Sequence, residues 1–237
     1  MKKILIILLF SNVMLAQNPV LKVVIDQIKT QDLLPDKTGY TIFYHIQNQS
    51  DNDVSMFLNP KTFIANAAAS MTLFPYYKIY QNRLYQNLDG PFFENTDDDT
   101  FQNNQTAEQN LEAYYQKQAQ NDIETIKKYK QNGGTSTDEI WILQNQEILA
   151  SKMTLKKQET QHFQIKTVWN KQRYYKQDNI EYYLDQNDYF DIELTLDLKK
   201  TVFKDRLTEL EYQEIQANPN FIEGVFVSNK SKIEFVD

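Results

Sequence analysis

"FDIELTLDL", residues 190–198, decides the fold. Phe190, Ile192, Leu194, Leu196 and Leu198 fall on one side of a period-two pattern, and Asp191, Glu193, Thr195 and Asp197 fall on the other. Successive side chains of a strand point to opposite faces of its sheet. Five apolar positions in step therefore predict a strand laid on a core.

The same period recurs outward from this stretch. Phe163, Ile165, Thr167 and Trp169 alternate with His162, Gln164, Lys166 and Val168. In "YTIFYHIQNQSDNDVSMFLNP", residues 40–60, Tyr40, Ile42, Tyr44 and Ile46 oppose Thr41, Phe43, His45 and Gln47, and Val54, Met56 and Leu58 resume the pattern. Between these runs Ser50, Asp51, Asn52 and Asp53 are turn formers, which predicts an early hairpin. Residues 20–25 are apolar on both faces and fit a central strand. Further strands are expected at 73–80, 139–143, 147–150, 225–228 and 232–235. Eight or nine short strands with polar turns predict a mainly β chain folded as an antiparallel sandwich.

Two helices interrupt the strands. Thr106 and Gln109 form a T-x-x-Q box opening a helix that Asn132-Gly133-Gly134 can close, with an apolar stripe of Leu111, Tyr115, Ala119, Ile123 and Ile126. One stripe cannot build a core, so residues 106–132 are expected to be a helical insertion packed on the sandwich. Thr208 and Glu211 form a T-x-x-E box for a short C-terminal helix that stops before Asn218-Pro219. No internal repeat or linker divides the chain, so residues 17–237 are expected to form one domain.

The ends and the composition speak to compartment. Lys2 and Lys3 precede a short apolar run, residues 4–10, and an Ala16–Gln17 junction, the form of a bacterial export leader over residues 1–16. That run is too short to span a bilayer. The chain has 237 residues, no cysteine and a net charge of −7. Without cysteine there is no thiolate chemistry and no lipid-bearing residue after the leader, so the expected product is periplasmic or extracellular and not a lipoprotein. An acidic chain without a long basic run offers no footprint for nucleic acid or for anionic lipid. Asn and Gln make up roughly a fifth of the residues, dispersed as uncharged polar surface.

Motifs for chemistry are scarce. A helix–loop–helix calcium loop needs glycine at its sixth position and glutamate at its twelfth. Counted from Asp51 these are Met56 and Thr62; counted from Asp185 they are Phe190 and Leu196. Asp97, Asp98 and Asp99 concentrate charge without enclosing an ion. The two histidines, His45 and His162, lie on different strands, each opposite the more apolar side, and read as structural residues. A zinc site would need carboxylates to complete it. H-E-x-x-H, G-x-S-x-G and the phosphate-binding glycine motifs are absent. These readings assign no catalytic, cofactor or metal residue, and no cofactor. Paired acids of a glycosidase remain open, because 32 acidic residues always supply some pair.

Aromatic residues are the most prominent set, with 15 Tyr and 14 Phe. Tyr76-Tyr77, Tyr114-Tyr115, Tyr174-Tyr175 and Tyr182-Tyr183 are adjacent pairs, and on a strand each pair sends one ring to the core and one outward. Exposed tyrosine suits recognition surfaces, so Tyr174, Tyr175, Tyr182 and Tyr183 are candidate partner-binding residues.

"YTIFYHIQNQSDNDVSMFL" and "MTLKKQETQHFQIKTVW" resemble the bacterial immunoglobulin-like sandwich domains of the BsuPI-like family. The former is similar to their strand, Asn-x-Ser-Asp turn and strand. The latter is similar to their Leu-x-Pro-Gly-Glu turn, with Lys157-Gln158 in place of Pro-Gly. The resemblance implies an immunoglobulin-like sandwich and does not carry inhibitor function. The expected function is that of a non-enzymatic binding module of the cell envelope, taking a protein or glycan partner. The alternatives are a carboxylate-based hydrolase acting on glycans and, by fold analogy, a protease inhibitor.

Overall fold

The computed structural model describes residues 19–65, 73–86, 94–95, 107–171, 174–177, 180–183 and 188–234. The expected leader, Thr106 of the first capping box, the aspartates at 97–99 and Asp185 lie outside them.

The described chain is mainly β, and its strands form antiparallel sheets that do not close into a barrel. Strands β1 (Leu21–Leu34), β2 (Lys37–Asn48), β9 (Thr160–Asn170) and β7 (Glu94–Asn95) make a four-stranded sheet in the order β1-β2-β9-β7. A six-stranded sheet runs β13 (Gly224–Val227), β12 (Phe190–Leu198), β5 (Tyr76–Gln81), β4 (Ile64–Ala65). Strand β14 (Ser231–Ile233) also pairs with β12, and β6 (Leu84–Gln86) pairs with β5. Among the described residues every ladder is antiparallel except the two-residue β4–β5 pair. Two further two-stranded ladders join β3 (Val54–Phe57) to β8 (Lys152–Leu155), and β10 (Tyr174–Gln177) to β11 (Ile180–Tyr183).

The two large sheets share one core. Leu21, Val23 and Ile25 of β1, Tyr40 to Ile46 at alternate positions of β2, and Ile165 and Trp169 of β9 meet Tyr77 and Ile79 of β5 and the five apolar residues of β12. Tyr76 and Tyr77 divide as expected, Tyr77 in the core and Tyr76 on the far face. The alternation of residues 190–198 thus marks an interior strand, hydrogen-bonded on both sides. Its polar face is covered too: Asp191 and Glu193 are 5% and 8% exposed, and Tyr80 of β5 lies across Glu193.

Three expectations are corrected. Residues 20–25 belong to an edge strand with one buried face, not a central one. Residues 50–53 do not turn a hairpin, since β2 pairs with β1 and β9 while β3 pairs with β8. Residues 139–143 and 147–150 are not strands but one helix, α2 (Glu139–Ala150). Asp138 caps α2 by accepting a hydrogen bond from Trp141 N, and Ile142, Asn145 and Ile148 form its buried stripe. Two apolar runs around a polar break mimic strands; the cap and the three-residue spacing make the segment a helix.

The first helix, α1 (Ala107–Gln131), ends as expected at Gly133, whose positive φ of 86° and the Gly134 N to Tyr129 O bond close its last turn. Its described side chains include no buried residue: Tyr115 and Ile123 of the expected stripe are exposed, and contact with α2 comes near its end, where Tyr129 meets Trp141 edge-on. The helix α3 (Glu209–Ala217) has the expected box, with Glu211 N donating to Thr208 Oγ1 and Thr208 N to Glu211 Oε2. Between α2, α3 and β3 lies a second core of Phe57, Leu73, Ile148, Phe203, Leu207, Ile215 and Phe221. Asn145 ties these helices together, its amide reaching Arg206 O and Glu211 Oε2 at 3.1 Å each.

Candidate functional site

The outer face of the four-stranded sheet carries the clearest group of ligating side chains. His45 of β2 and His162 of β9 are direct cross-strand partners, so their side chains leave the sheet on the same face. Their rings lie 5.3 Å apart. Asp26 of β1 completes the group. His45 Nδ1 donates to Asp26 Oδ1 at 2.7 Å, and His162 Nδ1 stands 3.6 Å from Oδ2 of the same carboxylate. One potential ligand atom from each residue lies within 4.8 Å of the others.

The alternation that buries Leu21, Val23 and Ile25 sends Asp26 to the outer face, and the backbone is irregular at the same residue. The β1–β2 register slips between Ile25 and Gln27, so Asp26 is the extra residue of a β-bulge. A bulge bends its strand and re-aims a side chain. It also shifts the buried phase, which runs Leu21, Val23, Ile25 before it and continues at the partly buried Ile28. The edge is clamped at the same place. Asn229, in the β13–β14 turn, accepts from Ile25 N at 2.8 Å and donates to Ile25 O at 3.2 Å, standing in for a neighbouring strand.

The outer face of the six-stranded sheet is different in chemistry. Tyr80 donates to Glu193 Oε1 at 2.9 Å, Lys230 Nζ sits 3.3 Å above the Tyr80 ring, and Tyr85 packs beside it at 5.9 Å. Burial, then the Glu193 carboxylate, push the Tyr80 phenol well above its ordinary value. Burial does the same to Tyr44 in the core, whose hydroxyl donates to Pro60 O. Unfolded tyrosine ionises near pH 10, while these two keep their protons when folded. Their contribution is therefore fully present below about pH 10 and is lost as pH rises through the folded values. For Tyr44 the loss approaches about 1.4 kcal/mol per pH unit. Melting temperature followed from pH 9 to 11 should fall less steeply in Tyr44→Phe than in wild type; equal slopes would contradict this assignment.

The acidic stretch of residues 50–53 is occupied by its own neighbours. Asp53 Oδ2 pairs with Lys156 Nζ at 2.8 Å and its Oδ1 accepts from Lys157 N at 2.9 Å; Asp51 pairs with Lys157 Nζ at 2.9 Å. These lysine contacts hold both carboxyls below their usual values. Of the tyrosine candidates, Tyr174 pairs with Tyr183 and Tyr175 with Tyr182 across the β10–β11 ladder. Among the described residues, two concavities open to solvent are lined as follows. One, about 470 Å³, is lined by Asn82, Arg83, Tyr189 and Asp191; the other, about 360 Å³, is bordered by Pro60, Phe74 and Glu147 among others. Each brings a single carboxylate.

The fold and this site define a mainly β protein with antiparallel sheets and a two-histidine, one-aspartate cluster on a sheet face. No protein-family model, curated protein or solved structure matches the chain. Among the described residues no helix is long and apolar enough to cross a membrane.

Sequence reasoning treated His45 and His162 separately and passed over Asp26 and Asn229. One local signal was present: the apolar phase slips between Ile25 and Ile28 with an aspartate at the slip. The cross-strand register that joins two histidines so far apart in sequence has no local signature.

Proposed function

We propose that this chain is an exported, immunoglobulin-like binding module of a bacterial cell envelope that holds a protein or glycan partner without transforming it. The observation that carries the reading is the β10–β11 register, which sets Tyr174 opposite Tyr183 and Tyr175 opposite Tyr182 on one short ribbon. Each face of the ribbon thus carries a pair of tyrosine positions, and tyrosine is favoured at recognition surfaces because it offers contact area and a hydroxyl at small entropic cost. Glycoside hydrolysis needs two carboxyl groups about 5–9.5 Å apart across a cleft, and neither concavity described above supplies a pair, which favours binding over hydrolysis.

The test is retention of a partner from envelope extract, or of a component of a glycan array, by the chain without its leader. Wild-type protein should retain a specific ligand, and a variant with all four of these tyrosines changed to serine should lose at least about 10-fold in affinity, the scale of one lost hot spot. Equal retention by the variant, or turnover of a glycan or peptide substrate by wild-type protein, would overturn the reading.

A further inference from the structure

We propose that Asp26, His45 and His162 form a binding site for one divalent transition-metal ion, with zinc as the reference ion, on the outer face of the four-stranded sheet. The inference stands independently of the partner-binding role, since it concerns a different sheet and different residues.

Three observations carry it. The first is economy. The chain has two histidines and no cysteine, and both histidines lie in this one cluster, paired in register across neighbouring strands. Two protonated imidazoles side by side would repel, whereas a metal ion needs them both neutral and close.

The second is that the third ligand sits at an irregular, clamped point of its strand. Asp26 is the bulged residue of β1, and Asn229 clamps the backbone immediately before it through both the N–H and the C=O of Ile25. Alternation places Asp26 on the outer face with Val24, the register partner of His45, and the bulge adds a residue to the strand at that point. The carboxylate spans the two rings, one oxygen 2.7 Å from His45 Nδ1 and the other 3.6 Å from His162 Nδ1. A tetrahedral ion with bonds of about 2.0–2.1 Å sets its ligand atoms about 3.3 Å apart. These two separations, each to a different oxygen of the carboxylate, lie on either side of that value, and one ligand atom from each residue lies within 4.8 Å of the others, so the three must draw together to seat an ion.

The third is the donor set. Two imidazole nitrogens and one carboxylate oxygen suit zinc, copper(II), nickel(II) and iron(II), and give calcium and magnesium too few oxygens. The ligands sit on three adjacent strands of one sheet, a rigid support whose ordering cost is met by folding. His45 is mostly covered while the His162 side chain is 73% exposed. The outward coordination positions therefore open to solvent, where water or a donor from another molecule completes the shell.

The experiment uses the full chain without a polyhistidine tag, stripped with chelator and titrated with Zn²⁺ by calorimetry and with Co²⁺ by visible absorption. One equivalent should bind with a dissociation constant of about 10 μM or tighter. Co²⁺ should develop the bands of a four- or five-coordinate nitrogen–oxygen site, which Zn²⁺ abolishes and excess Mg²⁺ or Ca²⁺ does not. In ¹H–¹⁵N spectra both imidazoles should shift with the same equivalent of Zn²⁺. Altering residues that merely support metal ligands costs about 10–100-fold in affinity, so losing a ligand should cost at least about 100-fold. His162→Ala and Asp26→Asn should each show that loss with an unchanged circular dichroism spectrum, while Asp51→Asn, an exposed carboxylate elsewhere, should bind as wild type. His162 is exposed enough that its removal leaves the fold intact, which keeps the test decisive if a His45 variant fails to fold. Absence of saturable binding up to millimolar Zn²⁺, or wild-type affinity in both ligand variants, would overturn the site.

Discussion

Leu194→Ala is expected to destabilise the protein by about 3–5 kcal/mol, the cost of deleting a fully buried leucine where the surroundings cannot collapse. Leu194 is 0% exposed at the middle of β12 and faces the core shared by both large sheets. Its backbone is held on both sides, in register with Tyr77 of β5 on one and by Ser228 on the other. Its N–H donates to Ser228 Oγ and its C=O accepts from Ser228 N, each at 2.9 Å. The strand therefore cannot shift inward to fill the space. For a chain of this size the loss corresponds to a fall in melting temperature of about 10 °C. Val227→Ala on neighbouring β13, where the side chain is 47% exposed, should stay within about 0.5 kcal/mol. Chemical denaturation of both variants measures the contrast, and a Leu194→Ala loss below about 1 kcal/mol would mean that β12 is not at the centre of the core.

That strand was legible from residues 190–198 alone because burial imposes period two directly on its sequence. The same holds for β2 and β9, and the two helix ends at Gly133 and Thr208 were legible because capping chemistry is local. What was hidden is of two kinds. The α2 segment mimics a strand, with Ile140, Trp141, Ile142 and Leu143 in a row. Its cap and three-residue spacing are local, but the partners that bury its face, Leu207, Ile215 and the Arg206 backbone, arrive much later in the chain. Pairing partners were hidden for the same reason. Nothing near His45 announces His162, and nothing near Val54 announces that β3 will pair with β8 rather than with β2. The candidate site consists of such non-local pairs, so its residue types were readable and its geometry was not. The buried acids of β12 show a further limit. Alternation predicts polar residues opposite the core, but whether tyrosines cover them is decided by the strand alongside.

Asn48→Ala, just ahead of the acidic stretch at residues 50–53, is expected to cost about 3 kcal/mol. A fully buried amide there satisfies backbone groups from two loops, and each buried group left unpaired costs about 1–3 kcal/mol. Asn48 Nδ2 donates to Asn52 O at 2.7 Å, to Lys156 O at 2.9 Å and more weakly to Leu155 O at 3.3 Å. Its Oδ1 accepts from Ser50 N at 2.9 Å and Ser50 Oγ at 2.7 Å. The chain leaves the four-stranded sheet here and crosses to the β3–β8 ladder, and this one side chain fixes both the departing segment and the turn that returns to β9. Gln158, with a φ of 58°, closes the same junction by donating to Gln49 O and Ser50 O. The charged pairs Asp53–Lys156 and Asp51–Lys157 lie outside it, exposed to solvent, where such pairs contribute little. Asp53→Asn should therefore leave the denaturation midpoint close to that of wild type. Asn48→Asp separates hydrogen bonding from size: it keeps the shape, loses both amide donors and sets a carboxylate against carbonyl oxygens. It should cost at least as much as alanine, with the deficit deepening as pH rises through the carboxylate range. Urea denaturation of the three variants at pH 5 and pH 7 decides the matter. An Asn48→Ala loss under about 0.5 kcal/mol, or an Asp53→Asn loss larger than it, would move the strength of the junction from the buried amide to the surface charges.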